Sequence, residues 1–156
     1  MTSIFPSIKR ILKKIFKFKP RPIRRRRRVS RRPRPDKVNK VIISMINKER
    51  KKRHLHTVSY DHDLKNHSRQ WSRHMARIRR LEHSHKIPEN CAMVSARGSP
   101  TSIARSCFQV WMKSPPHRAW MMQEQNPKIG GMQVIHYVGF AYHIRGEYAY
   151  AALAFK

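Results

Sequence analysis

A chain of 156 residues with 36 Lys/Arg, 8 Asp/Glu and a formal net charge of +28 has room for one domain and is drawn to polyanions such as nucleic acid, anionic lipid or anionic polymer. Its two cysteines, Cys91 and Cys107, are too few for a disulfide framework, so a reduced compartment and two buried thiols are expected. No stretch is long and apolar enough to span a bilayer.

Residues 1–35 hold 15 of the Lys/Arg and no acid. Ile4, Ile8, Ile11, Leu12 and Ile15 recur at helical spacing, with Lys9, Lys13, Lys14 and Lys17 on much of the remaining surface. Such a basic amphipathic helix suits a membrane surface or a partner groove. The lysines interrupt any secretory h-region, so the protein is expected to be cytoplasmic or peripheral on a membrane, although an organelle transit peptide would show the same bias. Pro20, Pro22, Pro33 and Pro35 then surround Arg24, Arg25, Arg26, Arg27 and Arg28. Like charges and prolines predict an extended, largely disordered linker whose arginines can meet phosphates. Residues 1–35 are therefore read as a tail and 36–156 as the domain, which keeps 21 Lys/Arg against all 8 acids.

Asp36 is placed to cap a helix with an apolar stripe of Val38, Val41, Ile42, Met45 and Ile46. Val58 to Asp61 predicts a turn, with Asp61 or Asp63 capping a second helix. Leu64, Trp71, Met75 and Ile78 should face its core, while Arg69, Arg73, Arg77 and Arg80 stay in water. His54, His56, His62, His67 and His74 lack metal-ligand spacing and are read as surface or half-buried residues. A short strand is expected over 90–94. Ser99-Pro100 and Ser114-Pro115 signal the starts of two further helices, with Ile103, Cys107, Val110 and Trp111 continuing the first. From Lys128 the chain becomes β-rich, with a hairpin turn at Arg145-Gly146. Helices first and antiparallel strands last predict an α+β fold.

Within this frame the chemistry concentrates in Leu81–Asn90, which carries His83 and Glu89, and in Trp111–Arg118, which carries His117. Imidazole and carboxylate bind divalent metals or move protons near neutral pH.

In order and spacing, several motifs resemble the CAP superfamily, the cysteine-rich secretory, antigen and pathogenesis-related group, in a bacterial-type short form. They are Asn47-x-x-Arg50, Val58-x-Tyr60-Asp61-x-x-Leu64, Trp71-x-x-x-Met75, His83-Ser84, Glu89-Asn90, Trp111-x-x-Ser114-x-x-His117-Arg118 and Ile129-Gly130-Gly131. The resemblance implies a three-layer α-β-α sandwich with a small antiparallel sheet, and a cleft where His83, Glu89 and His117 meet, bordered by Ser84, Asn90 and Ser114. The family's second acid falls on Ser114 here, Pro88 replaces a glycine, and the family disulfides are absent. His85 is an alternative ligand that does not match the family pattern. Members of the family bind divalent metal, sterols and other lipids, without an established common enzymatic activity.

Two imidazoles and a carboxylate can hold zinc or another divalent cation. The same trio can equally be a structural hydrogen-bond network. The leading expectation is a non-enzymatic binding domain for a metal or a small apolar or lipid ligand, carried on a tail that docks to an anionic membrane. The alternatives are a metal-dependent hydrolase using the same cleft and a nucleic-acid-binding protein acting through its Arg-rich tail.

Overall fold

A computed structural model describes residues 33–124 and 134–156 of the chain. The expectations for the Ile4–Ile15 stripe, for Lys9, Lys13, Lys14 and Lys17, for Arg24–Arg28 and for Ile129-Gly130-Gly131 lie outside the described residues.

In chain order the elements are α1 (Lys37–Lys52), β1 (Ser59–Tyr60), α2 (His62–Ile78), β2 (Glu89–Ser95), α3 (Pro100–Lys113), α4 (Pro115–Met122), β3 (Tyr137–Arg145) and β4 (Tyr148–Phe155). The strands form one sheet in the order β1-β3-β4-β2. β2, β3 and β4 pair antiparallel, and β1 pairs parallel to β3 through Ser59↔Tyr137 and Tyr60↔Val138. The sheet is thus mixed. The turn expected at Val58–Asp61 includes this two-residue strand, because Ser59 N–H and Asp61 N–H donate to His136 O and Val138 O.

The layers follow from β4, which is buried on both faces. Ala149, Ala151, Leu153 and Phe155 join the main core with α1, α3 and α4, including Ile42, Ile46, Ile103, Phe108 and Trp111. Tyr150 and Ala152 point the other way, onto Met75 and Ala76 of α2. Among the described residues, one helix therefore covers one face of the sheet and three cover the other, the α-β-α sandwich expected. Val110 is an exception to the predicted α3 stripe: it is exposed, and Phe108 takes the inward position.

Polar anchors fix the layers. The buried face of α1 reads Asn39, Ile42, Ile46, Arg50, so its apolar stripe is polar at both ends. Asp36 caps the helix through Asn39 N–H at 2.9 Å. The Asn39 amide pairs with both backbone groups of Phe140, at 3.0 and 2.9 Å, and completes the β3 edge beyond the point where β1 stops. Asn47 does the same for Val58. Arg50 is fully buried and donates to His56 O and Met121 O, both at 2.7 Å, and to the Gln123 amide oxygen. On the opposite face α2 lies so close to β3 that a Cβ on Gly139 would come within 2.1 Å of the Lys65 nitrogen, and Ser68 Oγ donates to Gly139 O at 2.7 Å. No helix among the described residues is long and apolar enough to cross a membrane.

Candidate functional site

The site is built between α2 and β2. Asp61 caps α2 through Asp63 N–H and Leu64 N–H, at 2.8 and 2.9 Å, and the Ser68–Gly139 bond seats the helix on the sheet. That seating puts the neighbouring His67 beside β2. After α2 the chain turns through Arg79 in the left-handed region (φ 55°). The following loop is tied back to the helix at Glu82: Trp71 Nε1 donates to Glu82 O at 2.8 Å, while His74 and Arg80 hold its carboxylate at 3.0 and 2.7 Å. With Glu82 fixed, His83 and Ser84 pass directly over the start of β2.

Glu89 is the first residue of β2 and is 4 % exposed. A buried carboxylate is costly unless it is surrounded by donors. Here Ser84 N–H donates to Oε1, His67 Nε2 lies 3.0 Å from Oε2, and His83 Nδ1 lies 3.8 Å from Oε1. A carboxylate only accepts, so His67 carries its proton on Nε2. Burial works to raise the Glu89 pKa, but His83, Ser84 and His67 outweigh it and hold the carboxyl below its usual range. In turn Glu89 holds the half-exposed His83 imidazole above its usual range.

Cys91 lies two residues further along β2 and so shares the face of Glu89. Its Sγ is 3.9 Å from His83 Nδ1 and 3.5 Å from Glu82 O. His83, Glu89 and Cys91 each offer one ligand atom within 4.8 Å of the others. Burial, with the Glu89 charge adding to it, pushes the Cys91 thiol well above its usual range. Cys107 is also a free buried thiol, pushed up to about 12 by burial within the main core.

His117 approaches from α4. Its Nδ1 is 2.8 Å from Ser114 Oγ, and its carbonyl accepts from Asn90 Nδ2 at 2.9 Å, which ties the first turn of α4 to β2. Burial first, then the charge of His83, lowers the His117 pKa. His117 thus lies within electrostatic reach of His83 but stands outside the tight donor group. The Ser114 hydroxyl is thus in contact with the histidine. Asn90 is fully buried, and its Oδ1 is the buried side-chain oxygen left without a hydrogen-bond partner among the described residues.

His83 and Glu89 are therefore in contact, while Ser84 meets Glu89 through its backbone. His85 is exposed, in the left-handed region (φ 56°), and outside the donor group. His67 and Cys91 are the two contributors that sequence reasoning does not select. Cys91 is accessible from the period-2 rule once Glu89 is placed on a strand. The His67 contact depends on how α2 crosses the sheet, and no local spacing encodes that.

A family model described as "CAP: Cysteine-rich secretory protein family" matches residues 43–146. No curated protein matches the chain. Among solved structures, NaASP2 crystallised with Zn2+ is similar with a TM-score of 0.60 at 13 % identity, over 79 % of this chain and 83 % of that one. An outer surface protein from Borrelia burgdorferi gives 0.55 at 16 %, over 80 % and 96 %. Hookworm platelet inhibitor gives 0.53 at 15 %, over 79 % and 70 %. At such identities these structures establish a shared fold.

Proposed function

This chain belongs to the CAP family, the cysteine-rich secretory protein family, and on that premise we propose that its domain is a binding module in which His83 and Glu89 take zinc or a similar divalent cation. One observation carries the cation: His83, Glu89 and Cys91 present nitrogen, oxygen and sulfur within 4.8 Å of one another. Tetrahedral zinc bonds of about 2.0–2.3 Å put neighbouring ligand atoms about 3.3–3.6 Å apart. The His83–Glu89 and His83–Cys91 separations of 3.8 and 3.9 Å are only slightly wider. That NaASP2 was crystallised with Zn2+ supports the choice of metal.

The residues have distinct parts. Glu89 supplies charge, and His67 and the Ser84 N–H hold its carboxylate in place. His83 supplies an imidazole on the open side. Cys91 is a third donor in reach. His117 would be a second imidazole: with Ser114 on Nδ1, its Nε2 is the atom left for a ligand. A bound cation would supply a fixed positive charge able to hold an anionic or carbonyl group of a second ligand. The Ser114–His117 contact has no carboxylate on the other ring nitrogen among the described residues, so a serine-triad hydrolase is not favoured. A small lipid remains the second ligand class to test. Docking of residues 1–35 on an anionic membrane completes the proposal. Ile8, Ile11 and Ile15 changed to Ser should sharply reduce binding to anionic vesicles while barely changing binding to duplex DNA.

The test of the cleft is a calorimetric zinc titration of wild type, Glu89→Gln and His117→Ala. Both variants should bind at least about ten-fold more weakly. Affinity should fall with acidification, since binding needs neutral imidazoles. Cobalt(II) absorption separates Cys91 from the rest: a thiolate charge-transfer band that is present in wild type and absent in Cys91→Ser assigns the sulfur. Zinc affinity equal in all the proteins would end the proposal.

A further inference from the structure

Among the described residues α2 is the lone helix on its face of the sheet, so its outer side is a ridge in solvent. Along it run Arg69, Arg73 and Arg77, all exposed, one every four residues. That spacing sets the three on one line with a cation about every 6 Å. Like charges at this spacing destabilise a helix by about 0.2–0.5 kcal/mol per pair, so the row works against α2 itself. Arg77 sits in the last turn, where the helix dipole favours a cation. Arg69 and Arg73 lie in mid-helix and gain nothing from it.

Nor does the protein neutralise the row. All eight acids are among the described residues, and they are engaged elsewhere or out of range. Asp36 pairs with Lys65, Glu49 with Lys52 and Arg53, Glu82 with His74 and Arg80, Glu89 with His67 and His83, Glu124 with Arg53 and Arg118, and Glu147 with Arg97. Asp61 caps the helix, and Asp63 lies in its first turn and forms no ion pair with the row among the described residues. Arg69 instead meets the Asn66 amide oxygen at 3.0 Å, and Arg77 lies 3.3 Å from His74 Nδ1; neither partner is an acid.

We propose that this face of α2 is a docking ridge for the phosphate backbone of double-stranded nucleic acid. A line of guanidinium groups matches an extended row of anions better than a compact one, and Arg is suited to phosphate. The residues interleaved on the ridge, Asn66 and Gln70, are polar. A membrane surface would reward apolar side chains there, but the apolar side of α2 is turned into the core apart from Ile78, which ends the helix exposed instead of facing the core as expected. A single strand would reward exposed aromatics for base stacking. Trp71, the aromatic residue of α2, is instead stacked on His74 at 4.5 Å and bonded to Glu82. The ridge shares no residue with the basic stretch 1–35 or with the His83–Glu89 cleft.

Counterion release provides the test, because each phosphate neutralised on duplex DNA contributes about 0.9 to the slope of log K against log salt. Binding of a short duplex of random sequence is measured over a salt series for the full chain and for the Arg69/Arg73/Arg77→Gln triple variant. The tail is common to both proteins and cancels in the difference. The slope should shrink by about 2.7 for three lost phosphate contacts. The triple Lys variant should stay near wild type, and the melting temperature of the Gln variant should not fall. A slope change below about 1 overturns the ridge. So does an equal or larger loss of binding to phosphatidylserine-containing vesicles, which would make this a membrane face.

Discussion

Arg50 and Glu89 are both buried charges, 0 % and 4 % exposed, on opposite sides of the same sheet. Arg50 is surrounded by neutral acceptors contributed by residues 56, 121 and 123, and it joins the loop after α1 to the end of α4. No carboxylate among the described residues pairs with it, and burial alone lowers its pKa. Glu89 is surrounded by two imidazoles and a backbone amide, and one imidazole, His83, is half in solvent. The difference separates a staple from a site. Arg50 is enclosed by groups whose hydrogen bonds to it come mainly from backbone and amide oxygens, and it is sealed from solvent. Glu89 is enclosed by groups that can change protonation, exchange partners or bind a cation, with one flank open.

The sharpest way to break this contrast is at the staple. Arg50→Ala leaves two backbone carbonyls and a side-chain amide without donors and opens a void the size of the side chain. A loss of at least about 3 kcal/mol is expected, read as a shift in the urea midpoint at unchanged slope. Zinc affinity of the remaining folded protein should be unaltered. Glu89→Gln reverses the pattern. The neutral amide keeps the shape but cannot accept charge-assisted bonds from His67 and Ser84, so stability should fall by about 2 kcal/mol and zinc binding should collapse.

Acid should act on the site and spare the staple. Glu89 has a lowered folded pKa, so its contribution is present above the unfolded value and is lost as pH falls through the folded one. His117 is also lowered: the unfolded imidazole protonates first, and stability drops as pH falls below about 6.5. His83 is raised, so its contribution is full below about 6.5 and is lost as pH rises through the higher folded value. The two histidines therefore act with opposite sign in adjoining windows, His117 below about 6.5 and His83 above it, and wild-type stability should pass through a maximum near about pH 6.5. His83→Ala removes the opposing contribution. Its melting temperature should level off above about pH 6.5, where that of the wild type falls, and a wild-type profile that stays level there too would show that the His83–Glu89 ion pair is not felt in solution.

What the sequence makes legible follows from how local each signal is. Asp36 and Ser99 are read as caps from three or four consecutive residues and each makes its cap bond, and of the two candidates Asp61 and Asp63 it is Asp61 that caps α2. The arginines along α2 and just after it are read as solvent-facing, and Arg69, Arg73, Arg77 and Arg80 are exposed. His83 and Glu89 are six residues apart, and the intervening loop only has to fold back on itself. The His67–Glu89 contact spans 22 residues and depends on Gly139 letting α2 descend onto β3. The pairing of β1 with β3 joins residues 59–60 to 137–138, and no hairpin turn announces a parallel pair. Arg50 is hidden for a different reason: a charged residue at the end of an apolar stripe reads as solvent-facing, and its neutral partners come from two distant segments.

The smallest effect should come from Ser114, and it bears on whether His117 belongs to the site. Ser114 is the N-cap of α4 by position, but its side chain makes no capping hydrogen bond. Its Oγ is used on His117 Nδ1 instead. Ser114→Ala therefore removes one hydrogen bond to a half-buried ring and leaves the helix start intact, with a stability loss of about 1 kcal/mol or less. If that bond turns Nε2 toward the cleft, zinc affinity should fall on the order of ten-fold, in line with the loss of an orienting partner. Mutating the staple at Arg50 has the opposite signature, a large stability loss with no change in affinity. Unchanged zinc affinity in Ser114→Ala would remove His117 from the ligand set and leave a three-donor centre of His83, Glu89 and Cys91.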